Sequence, residues 1–300
     1  MTATATLSKP LCIAVLGTGM MGLPMARRLC AAGHQLHVWN RTRAKAEPLA
    51  AAGAVLHTQA ADAVAHADIT LSLLENGPVV AQVLFAQGGA AQAMRAGSLF
   101  IDMASIQPRE AREHADQLQA LGVACLDAPV SGGTVGAEAG SLAIMAGGHA
   151  ADYERALPVF AALGRATHVG PHGAGQLAKL ANQMIVGITI GAVAEALLLA
   201  AKGGADMAKV REAIGGGFAD SRILQLHGQR MVDRDFAPRG RMGVQLKDLR
   251  NALATAQELG FEAPVTTLFE GLYAQAVAHG LEGLDHSGLF VALAGRNGMQ

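Results

Sequence analysis

From Leu11 to about Gly170, short apolar runs alternate with segments whose apolar residues recur at helical spacing. That alternation predicts parallel strands joined by crossover helices. The runs are Leu11–Leu16, Gln35–Trp39, Ala54–His57, Asp68–Leu73, Ser98–Asp102, Val123–Leu126, Leu142–Met145 and Thr167–Val169. Between them, Thr42–Ala52, Val79–Phe85, Pro108–Leu121 and Ala150–Leu163 carry spaced apolar positions with charge on other faces. Past Gly170 the strand signal stops. Helical periodicity continues at about 173–201, 206–215, 219–232, 242–259, 263–279 and 284–294, with Gly203-Gly204, Gly215-Gly216-Gly217, Gly240 and Gly280 where helices end. The pattern predicts an α/β chain, a doubly wound sheet followed by an all-α C-terminal domain. Residues 1–10 form an N-terminal extension, 11–171 the first domain and 172–300 the second.

Composition narrows the partners. Lys plus Arg number 23 against 24 Asp plus Glu, a net charge of -1, with no block of like charge. A nucleic-acid or acidic-membrane surface needs a basic surplus or stripe, so neither partner is expected. The apolar stretch Leu180–Ala194 is shorter than a bilayer span and includes Asn182, Gln183 and Thr189, which predicts a buried helix. Gly17-Thr18-Gly19 interrupts the apolar run after Lys9 too early for a signal peptide. A cytoplasmic protein is expected, with Cys12, Cys30 and Cys125 as free, core-packed thiols. No histidine pair has metal-site spacing, so no metal is assigned.

Gly17-Thr18-Gly19-Met20-Met21-Gly22 follows the first strand directly and opens a helix. The first glycine permits the tight turn, the second lets backbone approach a pyrophosphate, and the third allows close helix–strand packing. With 37 glycines in the chain, about half a chance match is expected, so the strand–loop–helix context carries the reading. That context predicts a Rossmann-type dinucleotide site. The second strand ends in Asn40-Arg41-Thr42, without the acidic residue that would bond an NAD ribose. Arg41 can pair with a 2′-phosphate and Thr42 can donate a hydroxyl, which favours NADP while leaving NAD possible. A solvated arginine in a turn is the alternative.

Lys179 is the single formally charged residue between Arg165 and Glu195, an interval where about four or five charges would be average for this chain. Asn182 and Gln183 follow by one helical turn and share its face. Desolvation in such surroundings lowers an ammonium's pKa and equips it to exchange a proton. The alternative is a buried stem whose head snorkels to water. Upstream, Gly170-Pro171-His172-Gly173-Ala174-Gly175 brings bare backbone to the helix start, either to face an anion or as a hinge, with His172 expected to hydrogen-bond locally. Asp127-Ala128-Pro129-Val130-Ser131-Gly132-Gly133 reads as a turn with accessible amides, able to hold a carboxylate or to serve as an ordinary loop.

Together these segments, with Lys247-Asp248-Leu249, resemble the β-hydroxyacid dehydrogenase family over almost the whole chain after residue 10. The resemblance implies hydride transfer between a nicotinamide and a small hydroxy or oxo acid. It further implies that Ser131, Gly132 and Gly133 grip the substrate carboxylate, that Lys179 exchanges the proton, and that Asn182 and Gln183 hold substrate oxygens. Leu74, Ser105 and Lys247 match cofactor-contacting positions beside Gly17, Thr18, Gly19, Met20, Met21, Gly22, Asn40, Arg41 and Thr42. Lys179-Leu180-Ala181-Asn182-Gln183, Met231-to-Phe236 and Asp285-His286-Ser287 are most similar to the branch that reduces tartronate semialdehyde, whereas hydroxyisobutyrate-type members usually carry asparagine where this chain has Gln183. The run Gly215-to-Ser221 is only partly similar and is expected on the substrate side. A homodimer or homotetramer is implied. A relative acting on another short β-hydroxy acid or an imine, and a non-catalytic nucleotide sensor, stay open.

Overall fold

The computed structural model describes residues 10–299; the rest of the expected N-terminal extension, 1–9, lies outside them. Among the described residues nine strands form one sheet: β1 (Cys12–Leu16), β2 (Gln35–Trp39), β3 (Val55–Leu56), β4 (Ile69–Ser72), β5 (Leu99–Asp102), β6 (Ala124–Asp127), β7 (Val130–Ser131), β8 (Leu142–Gly148) and β9 (Gly164–Gly170). The helices of this part are α1 (Gly22–Ala31), α2 (Ala60–Val64), α3 (Gly77–Phe85), α4 (Pro108–Gln119), α5 (Gly133–Ala139) and α6 (Ala150–Leu163). Then α7 (Ala174–Lys202) leads to α8 (Met207–Ile214), α9 (Arg222–Asp233), α10 (Met242–Glu258), α11 (Pro264–Ala276) and α12 (Leu289–Arg296). Residues through Lys179 make one compact unit and Leu180–Gln300 a second.

In the first unit the strand order is β3-β2-β1-β4-β5-β6-β8-β7, with β9 beside β8. Strands β1 to β6 run parallel, while β8 turns antiparallel to β6 and β7. Both faces are covered, which is why the strands read as apolar runs. Ile13 and Val15 of β1 join the cluster that includes Met25, Leu29 and Phe160, while Ala14 and Leu16 face Val80, Leu84 and Phe100. Strand β1 lies between β2 and β4, so the chain's direction of winding reverses there. A crevice at the carboxyl end of such a strand is where an open α/β sheet receives a ligand.

Three elements depart from the periodicity. Thr42–Ala52 is not one α-helix but two 3-10 segments, Arg43–Lys45 and Glu47–Ala52; Pro48, which lacks an N–H, sits at the start of the second. Helix α6 passes directly into β9, which starts three residues before the expected strand, at Gly164. Ser131 and Gly132 do not merely turn: Val130–Ser131 pairs with β8 and Gly133 opens α5, elements too short for a periodic signature.

The 29-residue α7 is long and apolar enough to cross a bilayer, so the run-length argument from Leu180–Ala194 fails on length. Gln176, Lys179, Asn182 and Gln183 on it are nonetheless met by protein groups, as described below. In the second unit Ile190, Ala194 and Leu197 pack with Met231, Leu249, Tyr273 and Phe290. Of the cysteines, Cys125 is buried and Cys12 and Cys30 are half-buried, all three free.

Asp102 ends β5 and is buried. Burial pushes its carboxyl up to about 7, against the opposing hydrogen bond from the Ala104 amide. In the unfolded chain it ionises near the ordinary carboxylate value of about 3.9. Below that, both states are protonated. Between about 4 and 7 the unfolded chain gives up the proton and the folded one keeps it, so this group's contribution to stability falls as pH rises. In urea unfolding, Asp102→Asn should therefore gain about 2–4 kcal/mol relative to the parent between pH 4 and pH 8; a difference that stays constant with pH contradicts the assignment.

Candidate functional site

The glycine loop fits the shape of a pyrophosphate cradle. Gly17 adopts φ +103, and a Cβ at Gly22 would overlap the Gly17 carbonyl oxygen, so both positions exclude other residues. Nothing would obstruct a Cβ at Gly19, whose backbone faces open space. Helix α1 begins without a side-chain cap or an acidic residue in its first turn, leaving its amides and positive dipole end for an anion. Thr18 Oγ1 is buried without a hydrogen-bond partner.

Asn40 is half-buried and supports the loop: its Oδ1 accepts from the Thr18 amide at 2.9 Å, and its Nδ2 donates to the Thr42 carbonyl at 2.8 Å. Arg41 and Thr42 are exposed beside it. Leu74 packs against the cluster under β1, 3.2 Å from where a Gly17 Cβ would lie. The Gly17 and Thr18 amides are taken by the Trp39 carbonyl and Asn40 Oδ1, and the residues present suit a dinucleotide phosphate with the amides of Gly19–Gly22 as donors.

Further along the sheet, residues that sequence reasoning missed hold the next part. Asp127, at the end of β6, accepts from the amides of Gly173 (2.8 Å) and Gln176 (2.9 Å), so the chain's own carboxylate caps the start of α7. That helix end is thereby closed to an outside anion, one of the two roles left open for the Gly170–Gly175 segment. Burial raises the Asp127 carboxyl despite those two amides. Gln176 is fully buried. Its Nε2 donates to the Ala104 carbonyl at 2.9 Å and its Oε1 accepts from the Ile106 amide at 3.1 Å, pinning the loop that carries Ser105. The signal that could have found Gln176 is its place one helical turn before Lys179 in the same apolar stretch, as Asn182 and Gln183 lie one turn after it. His172 Nε2 lies 2.9 Å from the Cys125 carbonyl, bonding across 47 residues rather than locally.

One turn past Gln176, Lys179 is 9% exposed and its Nζ donates to the Val130 carbonyl at 2.8 Å. The head is inside the protein, which removes the snorkelling alternative. Val130 immediately precedes Ser131, Gly132 and Gly133; the two glycines are exposed, with φ +138 and +62, and a Cβ at Gly133 would meet nothing. Lys179 and the Ser-Gly-Gly turn are thus brought together in the first unit.

Asn182, Gln183 and Lys247 belong to the second unit. Gln183 Nε2 donates to Asp248 Oδ2 at 2.7 Å, and Lys247 Nζ lies 3.0 Å from Asp248 Oδ1, so Asp248, buried in α10, joins the two. Asn182 Nδ2 donates to Gln183 Oε1 at 2.8 Å. Nearby, His227, Asp285 and His286 bring potential ligand atoms within 4.8 Å of one another. The Asp285 carboxylate is already engaged by Arg230 Nη1, Ser287 Oγ and the Gly240 amide. Burial opposes its charge, but His227, His286 and Ser287 hold the carboxyl well below the usual range. The trio reads as a structural brace of the 3-10 turn His286–Gly288.

Comparison with known proteins bears on the family. The family described as the NAD binding domain of 6-phosphogluconate dehydrogenase matches residues 12–171, and that described as NAD-binding of NADP-dependent 3-hydroxyisobutyrate dehydrogenase matches 173–293. The chain is 45% identical to 2-hydroxy-3-oxopropionate reductase of Escherichia coli over 93% of its own length and 95% of that protein. It is 36% identical to 3-hydroxyisobutyrate dehydrogenase of Pseudomonas aeruginosa, covering 92% and 96%. A solved structure of Mycobacterium tuberculosis 3-hydroxyisobutyrate dehydrogenase with L-serine superposes with a TM-score of 0.87 at 32% identity, covering 95% of this chain and 99% of that one. With a Rossmann-type glycine cradle, a buried lysine beside a Ser-Gly-Gly turn, and relatives matching along nearly its full length, this chain belongs to the 3-hydroxyisobutyrate dehydrogenase family of NAD(P)-binding β-hydroxyacid dehydrogenases.

Proposed function

We propose that the protein is a 2-hydroxy-3-oxopropionate (tartronate semialdehyde) reductase that uses NADPH in preference to NADH. The observation that carries the reading is the buried Lys179 ammonium beside the Ser131-Gly132-Gly133 turn. The 45% identity to the E. coli reductase supports this choice of substrate. Residues 11–171 then act as the cofactor domain and 172–300 as the substrate and oligomerisation domain.

When bound, the reduced nicotinamide supplies a hydride to the aldehyde carbon. The chain's own groups do the rest. Gly17–Gly22 hold the pyrophosphate, and Arg41 with Thr42 receives the 2′-phosphate. Ser131, Gly132 and Gly133 hold the substrate carboxylate. Lys179 Nζ gives a proton to the carbonyl oxygen as the C=O electron pair moves onto it, and takes the proton back in the oxidative direction. Asn182 presents an amide to the substrate from the next turn of α7. Fixing acid, carbonyl and proton donor in one geometry supplies much of the rate.

The proposal extends to a cytoplasmic homodimer or homotetramer. Ile185 (65% exposed) and Leu199 (74%) on α7, with Phe261 and Leu268 of the same unit, leave large apolar side chains in water in a single chain, and association would cover them.

Lys179→Ala should lower kcat for tartronate semialdehyde with NADPH by about 10²–10⁴ while preserving cofactor binding; normal turnover with a normal pH profile contradicts the mechanism. Arg41→Ala should weaken NADPH binding by about tenfold or more and leave NADH nearly unchanged, as measured by fluorescence titration; equal losses for both cofactors reject a 2′-phosphate contact. Sedimentation velocity should show dimer or tetramer at micromolar concentration, and monomer alone rejects the assembly.

A further inference from the structure

The amides around Asn182 have their directions set by atoms that can only accept. Gln245 Nε2 donates to the backbone carbonyl of Gln183 at 2.9 Å, so the Gln245 oxygen must face the other way. That oxygen accepts from Gln183 Nε2 at 3.3 Å and lies 3.4 Å from His286 Nδ1. Gln183 Nε2 also donates to Asp248 Oδ2 at 2.7 Å, while Asp248 Oδ1 faces the Lys247 ammonium. Turning the Gln183 amide over would point its oxygen at a carboxylate and at a second amide oxygen. Gln183, Gln245 and Asp248 are buried, where facing acceptors are costly. Gln183 Oε1 is therefore fixed as an acceptor, and it receives Asn182 Nδ2 at 2.8 Å. The Asn182 side chain is half-buried; with its nitrogen bonded to Gln183, its Oδ1 occupies the other branch.

We infer that Gln183 is a positioning residue and not a substrate ligand, and that Asp248 and Gln245 act through it to make Asn182 present a carbonyl oxygen to the substrate. An oxygen acceptor selects a hydroxyl. This rests on the proposed reduction of a small oxo acid and refines its substrate class: the preferred aldehyde carries a hydroxyl on the carbon next to the reacting carbonyl. A methyl group at that carbon would leave the Asn182 oxygen unmatched, a kind of difference that enzymes discriminate strongly. The sequence-based expectation that Gln183 itself holds substrate oxygens is replaced by this indirect role.

The test compares kcat and KM, with NADPH, for 2-hydroxy-3-oxopropionate and 2-methyl-3-oxopropionate, using the full chain and two variants whose folding is checked by thermal melting. Gln183→Asn is one methylene too short to reach Asp248 and Asn182 together. Gln183→Met keeps the volume without the amide. Both should lower kcat/KM for the hydroxy aldehyde by about tenfold or more, mainly through KM, and change the methyl aldehyde by less than about twofold. The hydroxyl-to-methyl ratio is the readout that a purely structural role would not move. Equal losses on the two aldehydes, or no change on either, overturn the inference while leaving the reductase reading intact. A parent enzyme inactive on both aldehydes overturns the reductase reading and this inference with it.

Discussion

An ammonium group removed from water must be met by acceptors, and the bond from Lys179 to the Val130 carbonyl is the constraint around which the first unit's site is arranged. That bond requires the first turns of α7 to sit at a fixed depth and rotation against β7. Two side chains secure it. Asp127 holds the amides of Gly173 and Gln176, and Gln176 reaches the loop after β5 from both sides. The same network places Ser105, Lys179 and the Ser-Gly-Gly turn, so these three are positioned together rather than independently. Such support by neighbouring hydrogen bonds is what keeps a reactive group within the tolerance that catalysis requires.

The second unit uses the same principle in a different form. Asp248 is 1% exposed and draws Lys247 on one oxygen and Gln183 on the other. Its charge gives a direction to amides that would otherwise be free to turn over. Helix α7 carries Gln176, Lys179, Asn182 and Gln183 in succession, so one helix bears the amide that pins the loop after β5, the buried ammonium and the amide pair. The low charge of that helix follows from this, since most of its other surface packs against apolar neighbours or stays apolar.

Much of the fold was legible because fully covered parallel strands write continuous apolar runs, and β1, β2 and β5 were found within a residue or so. Short elements were not: Val130–Ser131 and Gly133–Ala139 contain too few residues for either period to register. In the site, Lys179 stood out because charge is scarce around it, and the glycine loop because of the strand before it. Asp127 and Gln176 were hidden for a physical reason. Their partners are backbone amides and carbonyls distant in sequence, and no spacing rule encodes a bond across some 46 or 70 residues. Asn40 was found for its place at the end of β2, yet its side chain supports the glycine loop instead of standing only as a ligand.

The claim on which the account turns is that Lys179 supplies a proton as an amine, and not merely a positive charge or a packing volume. Chemical rescue tests that directly. Adding small primary amines to Lys179→Ala should restore the reduction rate saturably, with the second-order rescue constant depending on the amine's pKa as a Brønsted relation requires. Alkylammonium salts without a transferable proton, such as tetramethylammonium, should not rescue. Rescue by tetramethylammonium, or none by any amine small enough to fill the vacated space, would contradict the account.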